Sequence, residues 1–447
     1  MNYRGNSPFR SLDRATPEQI HRRAWWLIAL TIFVPGSAQL VAGNRKLARV
    51  GIVATMVIWS ALILAALLAL INRTWLFSLA TAPFIVGVAS VILFVFAALY
   101  LVLVVDTLRL IQPARMYSRE RWITTIAIAL VGAIGVGSFG YVGNIASVQA
   151  GLINTIFNQS GGTTASNGRY NILLLGADSG KNRSGIRPDS ISVLSIDATT
   201  GHAVNIGIPR NLQHVGFSEG SPMLTVYPNG WNCGLECLIN AIYKDVTDNH
   251  EDLYPDARKN GSTPGVEATR EAVEYVTGLE IQSYVMVDMA AFESLVDALG
   301  GVDINVKQRL PIGGQADDLS DVQGWIEPGK QHMDGRTTLW YARSRHNTSD
   351  YDRMARQREV QNAILQQVDP ANVLTRFREI ASAGEKLVKT DIPSGMLSTY
   401  VDLAIKAKEF GIKPLELVPP TVNVMWPNYK EIHSLIAKTL KSSSKGN

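Results

Sequence analysis

Four long stretches without a charged residue dominate the first third of the chain, at residues 24–44, 50–72, 74–105 and from 122 past 143. Most are rich in Leu, Ile, Val and Ala, and runs of this length exclude an ordinary soluble cytoplasmic protein. After residue 168 the pattern changes. Short β-rich runs occupy 170–178, 190–198 and 202–209, the first nearly all apolar as an interior strand should be. Helical spacing follows in 236–246, 264–278 and 288–300, the last ending at Gly300 and leading into VDINV at 302–306. TLWYAR (338–343) reads as another strand. A polar turn then precedes a helix over 351–368, with Val360, Ile364 and Val368 on the face expected to pack against the sheet. NYKEIHSLIAKTL, near the end, reads as a further docked helix. Strands alternating with helices predict one α/β domain over residues 169–440. A Ser/Thr/Gly-rich flexible tether is expected at 144–168 and a disordered tail at 441–447.

The first apolar segment is the weakest spanner. Pro35-Gly36 breaks its middle and Ser37, Gln39 and Asn44 follow, so a re-entrant hairpin over 24–44 fits better than a span. Spans are expected near 50–71, 80–105 and 122–143. The front lacks the short charged-apolar-cleavage pattern of a removable signal.

Charge supplies an independent test of topology. The overall formal charge of +4 hides a division: residues 1–121 hold 13 Lys/Arg against 4 Asp/Glu, a net of +9, and the rest of the chain holds 29 against 34, a net of −5. The N-terminal segment 1–23 carries Arg4, Arg10, Arg14, Arg22 and Arg23. The next connector has Arg45, Lys46 and Arg49, the one near Asn72 only Arg73, and the one before residue 122 has Arg109, Arg115, Arg119 and Arg121. Basic loops stay in the cytoplasm. Three spans after a re-entrant hairpin then make a multi-pass cell-membrane protein with its large domain on the extracytoplasmic side. The acidic domain excludes a uniformly basic nucleic-acid binder, no nucleic-acid-binding module is evident, and nothing signals homo-oligomerisation either way.

The polar residues of the large domain gather at strand ends. Asp178 ends one strand and Asp189 begins the next; paired carboxylates with substrate phosphates are the usual setting for Mg²⁺, or Mn²⁺, although both can equally be turn-forming aspartates. Arg187 and Arg210 also sit at strand ends, where fixed donors could hold a diphosphate. The densest signal is WYARSRHNTSDYDRMARQ, which brings Arg343, Arg345, Arg353 and Arg356 around Asp350, Asp352 and Gln357 across a turn into a helix, the end that anions favour. Cys233 and Cys237 are the only cysteines, and the reading preferred for them is a disulfide staple at the rim of the pocket. The histidines have no metal-binding spacing, and His346 alone falls within the arginine cluster.

Taken together, NILLLGADS, Arg187-x-Asp189, IPR at 208–210, VDALGGVD at 296–303 and ARSR....D..R..RQ ending at Gln357 resemble the LytR-CpsA-Psr family of cell-wall glycopolymer ligases. The resemblance is strong over residues 170–367 and looser to 440. It implies a central mixed sheet with flanking helices and an apolar tunnel for a lipid tail. It also implies Asp178 and Asp189 as Mg²⁺ ligands, Arg187, Arg210, Arg343, Arg345, Arg353 and Gln357 as diphosphate contacts, and Asp189, Arg187, Arg210, Arg345 and Asp350 as the catalytic set. The chain departs at Gly180, Asn211 and Asp352, the last favouring Asp350 as the functional carboxylate. The activity so implied is phosphotransfer of a glycan from a polyprenyl-diphosphate-linked donor to a peptidoglycan acceptor at the membrane. A polyprenyl-diphosphate-glycan pyrophosphatase and a non-enzymatic envelope sensor or binding protein are the alternatives.

Overall fold

The computed structural model describes residues 15–71, 79–156, 162–178, 187–315, 318–346, 348–367 and 388–444. The chain divides into two compact units, Met1–Ala150 and Gly151–Asn447.

In the first unit, helix α1 (Pro17–Phe33) starts seven residues earlier than expected. Thr16 accepts from the Gln19 amide while Gln19 reaches back to the Thr16 amide, and Pro17 occupies the first turn, a capping box that outweighs the charges of Arg22 and Arg23. Arg23 is buried and donates from Nη1 to the Leu110 carbonyl at 2.6 Å. The chain breaks at Pro35-Gly36 and resumes as α2 (Ser37–Ala42), α3 (Arg45–Ile71), α4 (Pro83–Ile111) and α5 (Ser118–Ile156). Gly36 has φ +100°, and a Cβ there would lie 2.7 Å from the Ile52 nitrogen, so glycine lets α3 approach the break. Gln39 donates to the Leu103 carbonyl (2.9 Å) and to Thr107 (3.0 Å), and Thr55 to the Pro35 carbonyl (3.1 Å), ties of the kind that join apolar helices. Among the described residues, three helices are long and apolar enough to cross a membrane, Arg45–Ile71, Pro83–Arg115 and Ser118–Gly151; α1 is not one of them.

The expected tether is shorter than the sequence implied. Helix α5 continues through Asn144 to Ile156, with Ala150 and Ile153 buried and Gln149 donating to the Ala80 carbonyl at 2.7 Å. Residues 157–161 of that stretch lie outside the described residues.

The second unit is built on a six-stranded mixed sheet. In chain order its strands are β1 (Arg169–Asp178), β2 (Arg187–Asp197), β3 (Ala203–Ile208), β4 (Ser283–Asp288), β9 (Val388–Thr390) and β10 (Ile412–Glu416), arranged β10-β3-β2-β1-β4-β9. Strands β1, β2 and β3 pair antiparallel, whereas β4 runs parallel to β1 and β10 parallel to β3. The remaining strands form two antiparallel pairs, β5 (Val302–Val306) with β8 (Gly329–Met333) and β6 (Leu310–Gln315) with β7 (Asp318–Ile326).

One face of the large sheet buries Leu173, Val193, Val204 and Ile206 against α6 (Ile242–Asn249), α7 (Pro264–Thr277) and a C-terminal helix (Tyr429–Ser443). That last helix overrides the expected tail: Ser444 beyond it still bonds Asp197 and Arg169, and only 445–447 lie outside the description. The other face meets α8 (Met289–Leu299), α9 (Gly335–Arg343) and α10 (Asp350–Gln367). The segment expected as a strand at 338–343 is α9. Its aromatic and β-branched residues read as strand, but Asp334 caps the Thr337 amide at 2.7 Å and Thr338, Tyr341 and Ala342 fall on one buried helical face. Helix α10 matches the expected helix, with Val368 outside the described residues. Val360 packs with Val296, Val302 and Tyr341, not on the large sheet, to which α10 instead turns Gln357, Arg358 and Gln361.

Candidate active site

A bulge in β2 creates the centre of the site. Gly176 pairs with Ser190 while Ala177 pairs with Pro188, which leaves Asp189 as the extra residue. Alternation would place Arg187 and Asp189 on one face; the bulge interrupts it between them. Asp189 and Ser190 both border a cavity on the α8–α10 side of the sheet.

Arg210 follows β3 through Pro209. Its Nη1 donates to Asp189 Oδ1 at 2.8 Å, and its Nε lies 3.4 Å from Asp350 Oδ2. Asn240 donates to the same Asp189 oxygen at 3.1 Å, while its amide bonds the Arg210 carbonyl at 3.3 Å. From α10, Arg353 Nη2 reaches the Asp189 carbonyl (3.2 Å) and Asp350 (3.1 Å), and its Nε is buried without an acceptor among the described residues. Gln357 accepts from Ser190 Oγ at 2.8 Å. Helix α10 begins where it does because Ser349 caps it, its Oγ accepting from the Asp352 amide while the Asp352 carboxylate accepts from the Ser349 amide and hydroxyl, which leaves Asp350 to face the arginines.

Burial opposes ionisation of Asp189, but hydrogen bonds and charge from Arg210, Arg353 and Asn240 outweigh it and hold the carboxyl below its ordinary range. Burial likewise works against Arg210, and Asp189 and Asp350 overcome it, raising its pKa. Arg345 differs: partial burial and then repulsion from Arg210 and Arg353 lower its pKa, and its guanidinium makes no hydrogen bond or ion pair among the described residues. A lowered Asp189 pKa stabilises the fold above the unfolded aspartate value and loses that contribution as pH falls through the folded one. Stability of the full chain is therefore expected to drop below about pH 4, and to drop less in Asp189→Asn, in denaturant titrations at stepped pH.

The cavity has a volume of ≈510 Å³. Its lining is largely apolar, with Leu174, Val285, Phe292, Leu339 and Ile364 among it, and it also carries Asp189, Arg343, Arg345, Arg353 and Gln357. An apolar slot with a few convergent polar groups is the form of a ligand site, here for an amphiphile with an anionic head.

The structure thus brings together Asp189, Arg210, Asp350, Arg353 and Gln357, with Arg343 and Arg345 at the cavity. Arg343 also lies 4.9 Å from the Trp340 ring centre. Arg187 is exposed at the strand end opposite Asp178 and does not join the network. Arg356 is a correction: it turns away to the Tyr341 and Ser344 carbonyls and Thr348, holding the α9–α10 turn. Cys233 and Cys237 form a disulfide with Cα atoms 5.3 Å apart. Neither is among the residues that line the cavity; the disulfide tightens the loop before a short 3-10 turn (Ile239–Ala241) that delivers Asn240. Asn240 and Ser190 were missed, since single uncharged residues in a loop and a strand leave no signal in spacing.

For Mg²⁺ or Mn²⁺, Asp189 offers Oδ2, which accepts no hydrogen bond among the described residues, so one carboxylate ligand fits. The side chain of Asp178 and the loop 179–186 lie outside them. No three His, Cys, Asp or Glu side chains converge as a metal site among the described residues.

Residues 152–442 match the LytR_cpsA_psr family. The polyisoprenyl-teichoic acid–peptidoglycan teichoic acid transferase TagV of Bacillus subtilis (strain 168) is 25% identical over 229 residues, 50% of this chain and 50% of that protein. The similarly named transferase TagU of Oceanobacillus iheyensis is 29% identical over 260 residues, 57% and 69% of the two chains. The chain spans about half the length of the first of these relatives. The crystal structure of B. subtilis TagV aligns over 62% of this chain and 98% of its own, at 23% identity and a TM-score of 0.43.

Proposed function

As the chain belongs to the LytR-CpsA-Psr family, we propose that it is a phosphotransferase that moves a glycopolymer from a polyprenyl-diphosphate carrier to a peptidoglycan sugar hydroxyl. The observation that carries this reading is Arg345, whose guanidinium has no hydrogen-bond or ion-pair partner among the described residues and which lines a largely apolar cavity within the charge field of Arg210 and Arg353. Such a place favours a diphosphate whose lipid tail enters the slot. The loop charges of the first unit support an extracytoplasmic catalytic domain, where the wall acceptor is found.

Arg210, Arg345 and Arg353 bind the diphosphate oxygens, and Asp350 fixes Arg210 and Arg353 in place. The acceptor hydroxyl oxygen forms a bond to the sugar-linked phosphorus as the bridging phosphoanhydride bond breaks. Lipid monophosphate leaves with the electron pair and takes the hydroxyl proton. Asp189 is held ionised with its carboxyl below the ordinary range, so it is a weak base and serves as a fixed negative charge and cation ligand rather than as the group that takes the hydroxyl proton. A divalent cation held by Asp178 and Asp189 would supply further neutralisation of the diphosphate.

The decisive assay gives the full chain a defined lipid-linked glycan, Mg²⁺ and wall acceptor. Covalent glycan on the acceptor with stoichiometric lipid monophosphate is expected; free phosphorylated glycan at saturating acceptor would assign hydrolysis, and binding without turnover a sensor. Narrowing the slot with Val285→Phe is expected to raise KM for a long-chain donor roughly tenfold with little change in kcat, as read from steady-state kinetics.

A further inference from the structure

The large unit holds an indole in solvent at the end of the sheet that carries Arg210. Strand β2 runs antiparallel to β3, and β10 parallel to β3, so the start of β2 and the ends of β3 and β10 share one end. The loop leaving β10 there presents Met425 and Trp426, 50% and 70% exposed. This exposure is built, not incidental. The Asn423 side chain accepts from both the Met425 and Trp426 amides, at 3.0 and 3.1 Å, which folds a turn under the indole. The His214 ring stacks on Trp426 at 4.1 Å and 19°. His214 has φ +53°, a left-handed conformation that costs a non-glycine residue, and its backbone is fastened: Tyr429 Oη donates to the His214 carbonyl (3.0 Å), and the Gln213 amide bonds Val424 (3.0 Å).

We propose that Trp426, backed by His214, is a stacking platform for a pyranose ring of a glycan strand whose phosphate or acceptor hydroxyl lies at Arg210. A pyranose has an apolar face of C–H groups, which the electron-rich indole face attracts, and a hydroxylated rim that stays in water. His214 is four residues from Arg210, so their Cα atoms lie at most about 14 Å apart. In the segment between them, Asn211 Oδ1 is buried with no hydrogen-bond partner among the described residues. The inference rests on the glycan-transfer reading and refines its substrate class; the ring belongs either to the donor or to the acceptor.

The test uses the full chain with Trp426→Ala and Trp426→Phe. Equilibrium binding of a phosphate-free wall oligosaccharide, followed calorimetrically, and the donor and acceptor KM values are measured together. Trp426→Ala is expected to raise one KM roughly tenfold, with kcat largely retained and Trp426→Phe restoring most of the loss. A rise confined to the acceptor, with lost oligosaccharide binding, assigns the ring to the wall strand; a rise confined to the donor assigns it to the transferred glycan. Unchanged KM values and binding would overturn the platform. So would quenching of the Trp426-dependent emission by brominated phospholipid in nanodiscs, which would make it a membrane contact. If the wild-type chain turns over nothing yet binds the oligosaccharide through Trp426, the transfer reading fails and the platform stands.

Discussion

Arg210→Ala is expected to lower glycan transfer by roughly 10²–10³, about 3–4 kcal/mol of transition-state stabilisation. Arg210 is the residue through which the two halves of the site meet: Nη1 holds Asp189 from β2 and Nε faces Asp350 from α10. On the proposed reading its loss removes a cation from the diphosphate, and it leaves two neighbouring carboxylates less compensated, so an anionic substrate would meet a site shifted toward negative charge. Lysine restores the charge without the fork needed to face both carboxylates, and Arg210→Lys is expected to recover only part of the rate. Steady-state transfer by the purified full chain, with circular dichroism to establish folding, reads the effect. Turnover near wild type in Arg210→Ala would remove Arg210 from the chemistry.

The largest effect on stability is expected from Glu416→Ala, at about 3–5 kcal/mol. Arg358 is buried under α10, donating to Glu416 (3.2 Å), Ser192 (3.1 Å) and Gln361 (2.6 Å). Burial lowers its pKa, and Glu416 is the charge that opposes the shift. Burial raises the pKa of Glu416 in turn, against the pull of Arg358. Removing the carboxylate leaves a buried guanidinium without a counter-charge, whereas Arg358→Met with Glu416→Leu replaces both charges by apolar groups and is expected to recover most of the loss. Denaturant unfolding of the full chain, followed by near-ultraviolet circular dichroism, distinguishes the two. The pair is seated tightly, since a Cβ on Gly207 would come 2.0 Å from Glu416 Oε2.

Much of this molecule is legible in its sequence where a pattern repeats. The apolar lengths mark the three long helices, Pro35-Gly36 marks the break between α1 and α2, and the strand alternation and Gly300 boundary mark the large domain. The arginine-rich segment was found because charge density is visible without a fold. What escaped reading depends on single backbone events. A one-residue bulge separates Arg187 from Asp189, although their spacing places them on one face. An Asp cap turns TLWYAR into helix against its propensity. Arg356 shares the helical spacing of Arg353 and Gln357, yet carbonyls of the preceding turn take its donors. The polar side of α10 was also hidden, because Gln357, Arg358 and Gln361 look like a solvated face until the serines and asparagine of the sheet are set opposite them.

The capped start of α10 has a further consequence. With Ser349 and Asp352 fixing its first turn, Asp350, Arg353 and Gln357 stand on a rigid rod whose rise sets their spacing, seven residues or roughly 10 Å from first to last. Such a rod is a ruler. On the proposed transfer reading, an elongated head group is held along that length and each fragment left by cleavage of the phosphoanhydride meets only part of it, so the same helix that receives the carrier would favour its departure.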